Sequence, residues 1–597
     1  MKLSDYVVAF LADRGVRNIY LVSGGGMMHL LDSLGRERRI RYVCNHHEQA
    51  SAIAAESEAR VTGRPGVCMV TTGPGATNAL SGIVGAWYDS VPVVVISGQV
   101  RTDVMANFEA ARQLGPQEVN IAAMARPCTK YFATVREPRF IRQELERAFY
   151  HAQEGRPGPT WLDIPLDVQS AMIDETTLPG SGLSSLTPQP LAPSQADIAS
   201  VVEALRGARR PVLIAGNGIH LAGARDQLRA FVEHTGLPTL LTIGGADLLE
   251  EDHPLFFGRL GPLGQRRANF VLQNSDLVLA VGASLCLASI GFNTDAFAPR
   301  ARKLLVNVDR AELAKKIFVQ ERGVLADAGE FLRAYNAAAP LDVARRADWL
   351  GACLDWKLRY PPLATPGCAD GTLASPYVFA ATLGEQLPAG AVVVTGNSMD
   401  WWVLYQAMPA KRDQRLYTNL NYGAMGWDLG AAIGACCARP DAQTILVTGD
   451  GGMQTNVQEL TVIGHHRMEL KIFVLSNDGY QSIRATQDNF FEGRHVGVSS
   501  ASGVGIPDLE KLAAANRIAY ARIASDAELA PGVAEVLAMR GPVLCELVIS
   551  PTQERLPRVK SYRREDGTIA SPALEDMYPP LPAEELAYNT RFMRGDD

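Results

Sequence analysis

Two carboxylates in this 597-residue chain stand where chemistry could be done. Asp450 lies in the glycine-rich break Gly449-Asp450-Gly451-Gly452, just after the apolar run Ile445 to Val447, and Asn477-Asp478-Gly479 follows a second apolar run, Ile472 to Leu475. An acid, an amide oxygen and loop carbonyls make a set of hard oxygen ligands. Such a set suits Mg²⁺, which keeps octahedral geometry and commonly bridges to a phosphate. The glycine break also leaves backbone N–H groups at a helix start, where a diphosphate can sit. Glu48 follows Asn45-His46-His47 and opens an alanine-rich helix. Taken singly, each has a bland reading: a tight turn for Gly-Asp-Gly, and for Glu48 an acid favoured by the helix dipole.

The elements that must position Asp450 and Asn477 form one βαβ unit: strand, glycine break, amphipathic helix from about Val457 to His465, strand. A right-handed βαβ unit opens both strand ends onto one sheet edge, so the two residues become neighbours across 477 − 450 = 27 positions. The same alternation of strands and helices runs through the chain. Residues 1–175 carry apolar runs at 18–23, 41–48, 66–73, 92–98 and 159–165, which predict a doubly wound parallel sheet. A Pro-, Ser- and Leu-rich linker follows at 176–193. Residues 194–340 restart the pattern at 211–218, 237–242, 276–283 and 303–309, a smaller Rossmann-like domain. Its Gly216-Asn217-Gly218 and Asp309 could hold an adenine dinucleotide or form a plain turn, since the full G-x-G-x-x-G fingerprint is absent. A second linker, 341–374, includes Pro361, Pro362, Pro366 and Gly367, and a third α/β domain spans 375–550 with apolar runs at 391–396, 443–450, 470–477, 518–524 and 542–548. Residues 551–597 read as a Pro-punctuated tail with little core of its own, able to wrap the surface or cover the site.

Composition narrows the partners. A net charge of −7 without long basic runs gives no footprint for nucleic acid or an anionic membrane, and no apolar run approaches the roughly 18 residues of a membrane span. Nine scattered cysteines, Cys436 and Cys437 adjacent, suit a reduced cytoplasm better than a disulfide framework. His29, His465 and His466 have no metal-ligand spacing.

Several motifs together resemble the acetolactate synthase and 2-oxo acid decarboxylase superfamily of thiamine-diphosphate-dependent enzymes. They are His47-Glu48-Gln49, Thr71 to Asn78 (T-x-G-P-G-A-T-N), Asp89 to Gln99 (D-S-V-P-x-x-x-I-x-G-Q), Gly423 to Gly426 (G-x-M-G), and Gly449-Asp450-Gly451 followed by Ser476-Asn477-Asp478-Gly479. The resemblance implies three α/β domains, pyrimidine-binding, central and diphosphate-binding. It implies that Asp450, Asn477 and the Gly479 carbonyl hold Mg²⁺ against the diphosphate, and that Glu48 bonds the aminopyrimidine ring. A carboxylate at that ring favours the tautomer whose imine relays the acid–base step. Further cofactor contacts are implied for Gly24, Gly25 and Gly26, Thr72 and Asn78, Asn397 and Ser398, Gly423 and Met425, and Gly449, Gly451, Gly452 and Tyr480. Gly24 to Gly26 could equally be a plain turn, and the alternative for Met425 is a core methionine.

What the resemblance implies is a carboligase that decarboxylates a 2-oxo acid, most simply pyruvate, and passes the acyl unit to a second carbonyl compound. The alternatives are cleavage without ligation, hydrolysis of a dione, or a nucleotide-binding protein without chemistry. It also implies a homodimer or homotetramer with each site shared between subunits. Three departures qualify it. Pro116-Gln117-Glu118 stands where the family has Phe-Gln-Glu, so the polar Gln117 is kept and an aromatic wall is lost, pointing to a different acceptor. His46 replaces an arginine, and Asn397-Ser398-Met399 replaces the Val-Gly-Gln clasp. The flavin-site stretch reads Gly282 to Ala288 without arginine, so FAD is the cofactor the resemblance implies least.

Overall fold

The computed structural model describes residues 1–337, 346–365, 373–419 and 421–594, so the residue-340 end of the central stretch and Pro366 and Gly367 of the second linker fall outside the description. Three six-stranded sheets follow one another, every ladder parallel. The first contains β1 (Asn18–Leu21), β2 (Arg41–Cys44), β3 (Gly66–Val70), β4 (Val93–Gln99), β5 (Tyr131–Thr134) and β6 (Thr160–Pro165), ordered 2-1-3-4-6-5. The second contains β7 (Pro211–Ala215), β8 (Thr239–Leu241), β9 (Phe256–Arg259), β10 (Leu277–Val281), β11 (Arg302–Asn307) and β12 (Arg322–Leu325), ordered 12-11-10-7-8-9. The third contains β13 (Val392–Thr395), β14 (Arg415–Tyr417), β15 (Thr444–Gly449), β16 (Leu470–Ser476), β17 (Ala519–Ile523) and β18 (Val543–Val548), ordered 14-13-15-16-18-17. Central strands such as β3, β4 and β15 are buried on both faces, which is why they read as continuous apolar runs. The central sheet has as many strands as its neighbours.

The first and third sheets are joined by two helices, Glu48–Thr62 and Trp427–Ala438. Small residues let them meet closely: a Cβ at Gly434 would lie 2.1 Å from the Ala54 carbonyl oxygen, and one at Gly430 would lie 3.2 Å from the Ala50 Cα. Ser57 Oγ donates to the Ala431 carbonyl at 2.6 Å across the seam. The C-terminal tail packs on the central domain. Asn269 Nδ2 donates to the Leu574 carbonyl (3.0 Å), Arg266 to that of Pro579 (2.6 Å) and Asn274 to that of Asn589 (2.9 Å). Leu574 joins the core there. Among the described residues no helix is long and apolar enough to cross a membrane.

Candidate active site

Asp450 sits at the end of β15, where Gly449 pairs with Leu475 of β16, so the two strand ends open side by side. Its carboxylate is fully buried and accepts four backbone N–H bonds. Oδ2 takes Asn477 (2.9 Å) and Asp478 (2.8 Å), and Oδ1 takes Gly451 (2.7 Å) and Gly479 (3.2 Å). Burial pushes its pKa up while these bonds oppose the rise. The Asn477 side-chain amide lies against two oxygens, the Gly479 carbonyl at 3.2 Å and Asp450 Oδ1 at 3.3 Å, and its own oxygen and nitrogen are told apart only by the bonds they make. Octahedral Mg²⁺ with bonds of about 2.1 Å sets neighbouring ligand oxygens about 3.0 Å apart, so this triad has the spacing and the hard-oxygen chemistry of one face of a Mg²⁺ site. Turned by half, the Asn477 amide donates from its NH₂ group to the same two oxygens. The loop therefore has an orientation that needs no cation and one that ligates.

Around this point Gly449 and Gly452 face open space, whereas the Tyr480 ring covers Gly451, 2.8 Å from where a Cβ would stand. A short 3₁₀ helix, Gly452–Asn456, precedes the helix Glu459–His465, so the helix begins after Val457. Asn397 donates to the Ala424 carbonyl (2.9 Å) and accepts from Thr418 (2.8 Å). Ser398 Oγ meets Ser482 Oγ at 2.5 Å, tying the β13 loop to the helix Gln481–Phe490. Gly423 and Gly426 have φ of 73° and 72°, the left-handed region that favours glycine, and the turn between them leaves Met425 50% exposed. The core reading of Met425 is thereby corrected.

In the first domain Glu48 is the first residue of its helix, capped by His47, whose Nδ1 accepts from the Gln49 N–H at 3.1 Å. Only 8% of Glu48 is exposed. Asn78 Nδ2 donates to Oε2 at 2.9 Å, while among the described residues Oε1 has no protein donor. Asn78 thus positions the carboxylate. Thr72 is engaged elsewhere: its hydroxyl donates to Gln99 Oε1 (3.0 Å), and Gln99 donates to Asp163 (3.1 Å), whose pKa burial pushes up to about 6. Gly24 and Gly26 pack against Thr71 and Thr72 and only Gly25 faces open space, so the turn reading holds for two of the three. Gln117 has φ of 66°, its carbonyl fills the space beside Gly73 and its side chain is exposed. Glu118, next to it, is buried and accepts from the backbone of Ala106 (2.5 Å) and Leu114 (2.8 Å), fixing that loop.

Three buried acids near the site escaped the sequence reading. Glu459, fully buried, accepts from Asn45 Nδ2 (2.9 Å) and from the N–H groups of His46 (3.0 Å) and His47 (3.1 Å), so the third domain holds the loop that presents Glu48. Burial pushes its pKa up. In sequence Glu459 reads as an ordinary first-turn acid of the helix Glu459–His465. Asp400 and Asp428 stand in the first turns of the helices Met399–Ala407 and Trp427–Ala438, and both carboxylates press on Gly396, where a Cβ would lie 2.0 Å from Asp400 Oδ2 and 3.4 Å from Asp428 Oδ2. Asp400 Oδ1 takes the Ser398 N–H at 2.7 Å. Burial first, then the Asp428 charge, pushes the Asp400 pKa up to about 7.

In the central domain the glycine pair is engaged by the chain itself. Gly218 N–H donates to the Gly282 carbonyl at 2.8 Å, and a Cβ at Gly216 would lie 2.5 Å from that same oxygen. Asp309 caps Ala311 (2.8 Å) and pairs with Arg156 of the first domain (3.0 Å). These residues do not fit a dinucleotide, whose diphosphate needs free N–H groups and whose ribose needs a free acid. Among the described residues no group of three His, Cys, Asp or Glu side chains could hold a metal.

Residues 1–124 match the thiamine pyrophosphate enzyme N-terminal TPP binding domain, 198–335 the central domain and 395–547 the C-terminal TPP binding domain. The chain is 31% identical over 557 residues to the acetolactate synthase isozyme 1 large subunit of Escherichia coli strain K12, covering 93% of this chain and 95% of that one. It is 30% identical to the acetolactate synthase large subunit of Corynebacterium glutamicum, covering 93% and 88%, and 30% identical to the probable acetolactate synthase large subunit of Methanocaldococcus jannaschii, covering 94% and 93%.

Proposed function

The chain belongs to the thiamine pyrophosphate enzyme family, and from that membership we propose how its own residues run the reaction. It is an enzyme of thiamine-diphosphate-dependent decarboxylation and carboligation. When bound, the cofactor supplies the carbon nucleophile and the electron sink. Asp450, Asn477 and the Gly479 carbonyl would hold Mg²⁺; the observation that supports this reading is that the Asn477 amide, the Gly479 carbonyl and Asp450 Oδ1 converge at 3.2 and 3.3 Å. Gly449 and Gly452, in open space, leave room for the diphosphate. Glu48 Oε1 would accept a hydrogen bond from the ring N–H of the cofactor's reactive tautomer, so favouring that tautomer, while Asn78 keeps Oε2 in place. Met425, presented outward, props the cofactor, and Gln117 meets the acceptor.

The donor is a 2-oxo acid, most simply pyruvate, as the names of the similar proteins support. The acceptor is a second carbonyl compound, and Pro116 in place of an aromatic favours one unlike the branched-chain precursors. FAD is the cofactor this reading supports least, because the stretch Gly282 to Ala288 carries no arginine; purified protein is expected to lack flavin absorbance. Free cysteines support a reducing cytoplasm. Incubating the protein with thiamine diphosphate, Mg²⁺, pyruvate and a panel of ketones and aldehydes, with mass spectrometry of products, tests the function. A coupled product is expected. Aldehyde alone would make the enzyme a simple decarboxylase, and no saturable binding of thiamine diphosphate would overturn the reading.

A further inference from the structure

Behind the metal loop, between the helix Gln481–Phe490 and the segment 551–558, lies a cavity of about 120 Å³. A water occupies about 30 Å³ of liquid, so the space matches about four waters, the size of a tetrahedral oxyanion. Its lining carries three arginines, Arg484, Arg555 and Arg558, and two acids, Asp488 and Glu554.

The charges do not cancel. Asp488 is engaged by His495 Nε2 (2.7 Å) and Glu554 by Arg558 Nη2 (2.9 Å). Arg484 is satisfied by carbonyls, of Pro551 at 2.9 Å and Asp478 at 2.5 Å among them. Arg555 is different. Among the described residues it has neither a carboxylate nor a carbonyl partner, its Nε is sealed from solvent without an acceptor, and burial together with the neighbouring Arg558 disfavours its charge. The Nε of Arg558, a residue nine-tenths buried, is likewise without an acceptor. A partly buried guanidinium without a partner is costly unless an anion answers it. Two forks facing one small space recognise oxygens in pairs, which suits phosphate geometry.

We propose that this cavity is a binding site for a phosphate-type oxyanion, either free inorganic phosphate or the phosphoryl group of a larger molecule. It is separate from the cofactor site but mechanically tied to it. Arg484, which lines the cavity, also holds the carbonyls of Asn477 (3.3 Å) and Asp478, so an anion here stiffens the loop that carries Asn477.

The test is calorimetric titration of the full chain, saturated with thiamine diphosphate and Mg²⁺ and at low ionic strength, with inorganic phosphate in one arm and a phosphate monoester in the other. Saturable binding is expected in at least one arm. The arm that binds more tightly identifies the source. Arg555→Met is expected to weaken binding at least tenfold, with Arg555→Lys intermediate because it keeps charge without the fork. Thermal unfolding without phosphate guards against misfolding: Arg555→Met removes an unanswered charge and is expected to be no less stable than wild type. Because phosphate could also reach the metal loop, Asp450→Ala without cofactor serves as a control and is expected to keep its phosphate binding. The proposal is overturned if wild type binds in neither arm, if Arg555→Met binds as tightly as wild type, or if Asp450→Ala abolishes the binding.

Discussion

Glu48 gives one carboxylate oxygen to Asn78 and, among the described residues, leaves the other without a protein donor, which separates holding from acting within a single side chain. Glu48→Gln keeps the size and the contact with Asn78 but removes the charge that favours the reactive ring tautomer. Turnover is expected to fall by roughly 10² to 10⁴ while cofactor affinity, followed by quenching of protein fluorescence, changes little. Near-normal turnover would refute the role. Asp450 differs, because its carboxylate both organises four loop N–H groups and lies against the Asn477 amide. Asp450→Asn keeps the shape and loses the anionic ligand, so the Mg²⁺ concentration for half-maximal cofactor binding is expected to rise on the order of tenfold or more. An unchanged Mg²⁺ requirement would remove Asp450 from the metal site.

Among the elements, the helix Glu459–His465 reaches across a domain boundary and holds the loop ahead of Glu48 through one buried acid. Glu459→Ala leaves three donors without an acceptor, each worth about 1–3 kcal/mol when buried. A clear drop in thermal midpoint is expected, together with loss of activity beyond what stability explains, and Glu459→Gln is expected to recover part of both. The Asp400 and Asp428 carboxyls titrate as a pair against Gly396. With the Asp400 pKa raised from 3.8 to about 7, the folded chain holds a proton that the unfolded chain has lost between those values. Stability from this group is therefore full at low pH and declines as pH rises through the folded pKa. Asp400→Asn is expected to match wild type in melting below about pH 4, to pull ahead as pH rises between the two pKa values and to exceed it most near pH 8, and a gap independent of pH would count against the pair. The strands were legible to different degrees for a physical reason. The four that sequence periodicity passed over, β5, β9, β12 and β14, all lie at sheet edges. There Tyr131–Thr134 is half-buried, Arg322–Leu325 opens with two exposed residues and Arg415–Tyr417 has only three positions, so no long apolar run marks them. The Gly-Asp-Gly and Ser-Asn-Asp-Gly strand ends were legible because spacing within one βαβ unit determines where they meet. Glu459 was not, since its bonds reach Asn45, His46 and His47 in another domain, and Asp400 and Asp428 were not, since helix-start acids read as ordinary first-turn charges until both are found against Gly396.

The whole molecule carries its two candidate half-sites on separate sheets. Glu48 is bonded inside the first domain, by Asn78, and Asp450 inside the third, by its own loop. Within one chain these domains meet at a close helix pair, Glu48–Thr62 against Trp427–Ala438, where a Cβ at Gly434 would lie 2.1 Å from the Ala54 carbonyl oxygen, and through the Glu459 bonds to the loop ahead of Glu48. Beside the helix pair, Tyr88 and Tyr422 stack with ring centroids 6.2 Å apart and both remain exposed, as do Met425 and Ile483. Exposed apolar side chains grouped around a candidate site mark a surface that another protein covers. A second copy of this chain, related by a two-fold axis, would cover it and set Glu48 of one subunit opposite Asp450 of the other, twice per dimer. Glu48→Gln and Asp450→Ala proteins, each inactive, are then mixed and allowed to exchange subunits. A mixed dimer contains one intact site, built from the wild-type Glu48 of one chain and the wild-type Asp450 of the other, and one site carrying both substitutions. Random exchange makes half the dimers mixed, so activity is expected to return to about a quarter of wild type. If native mass spectrometry shows mixed dimers and no activity returns, each site is built within a single chain and the two-fold architecture is wrong.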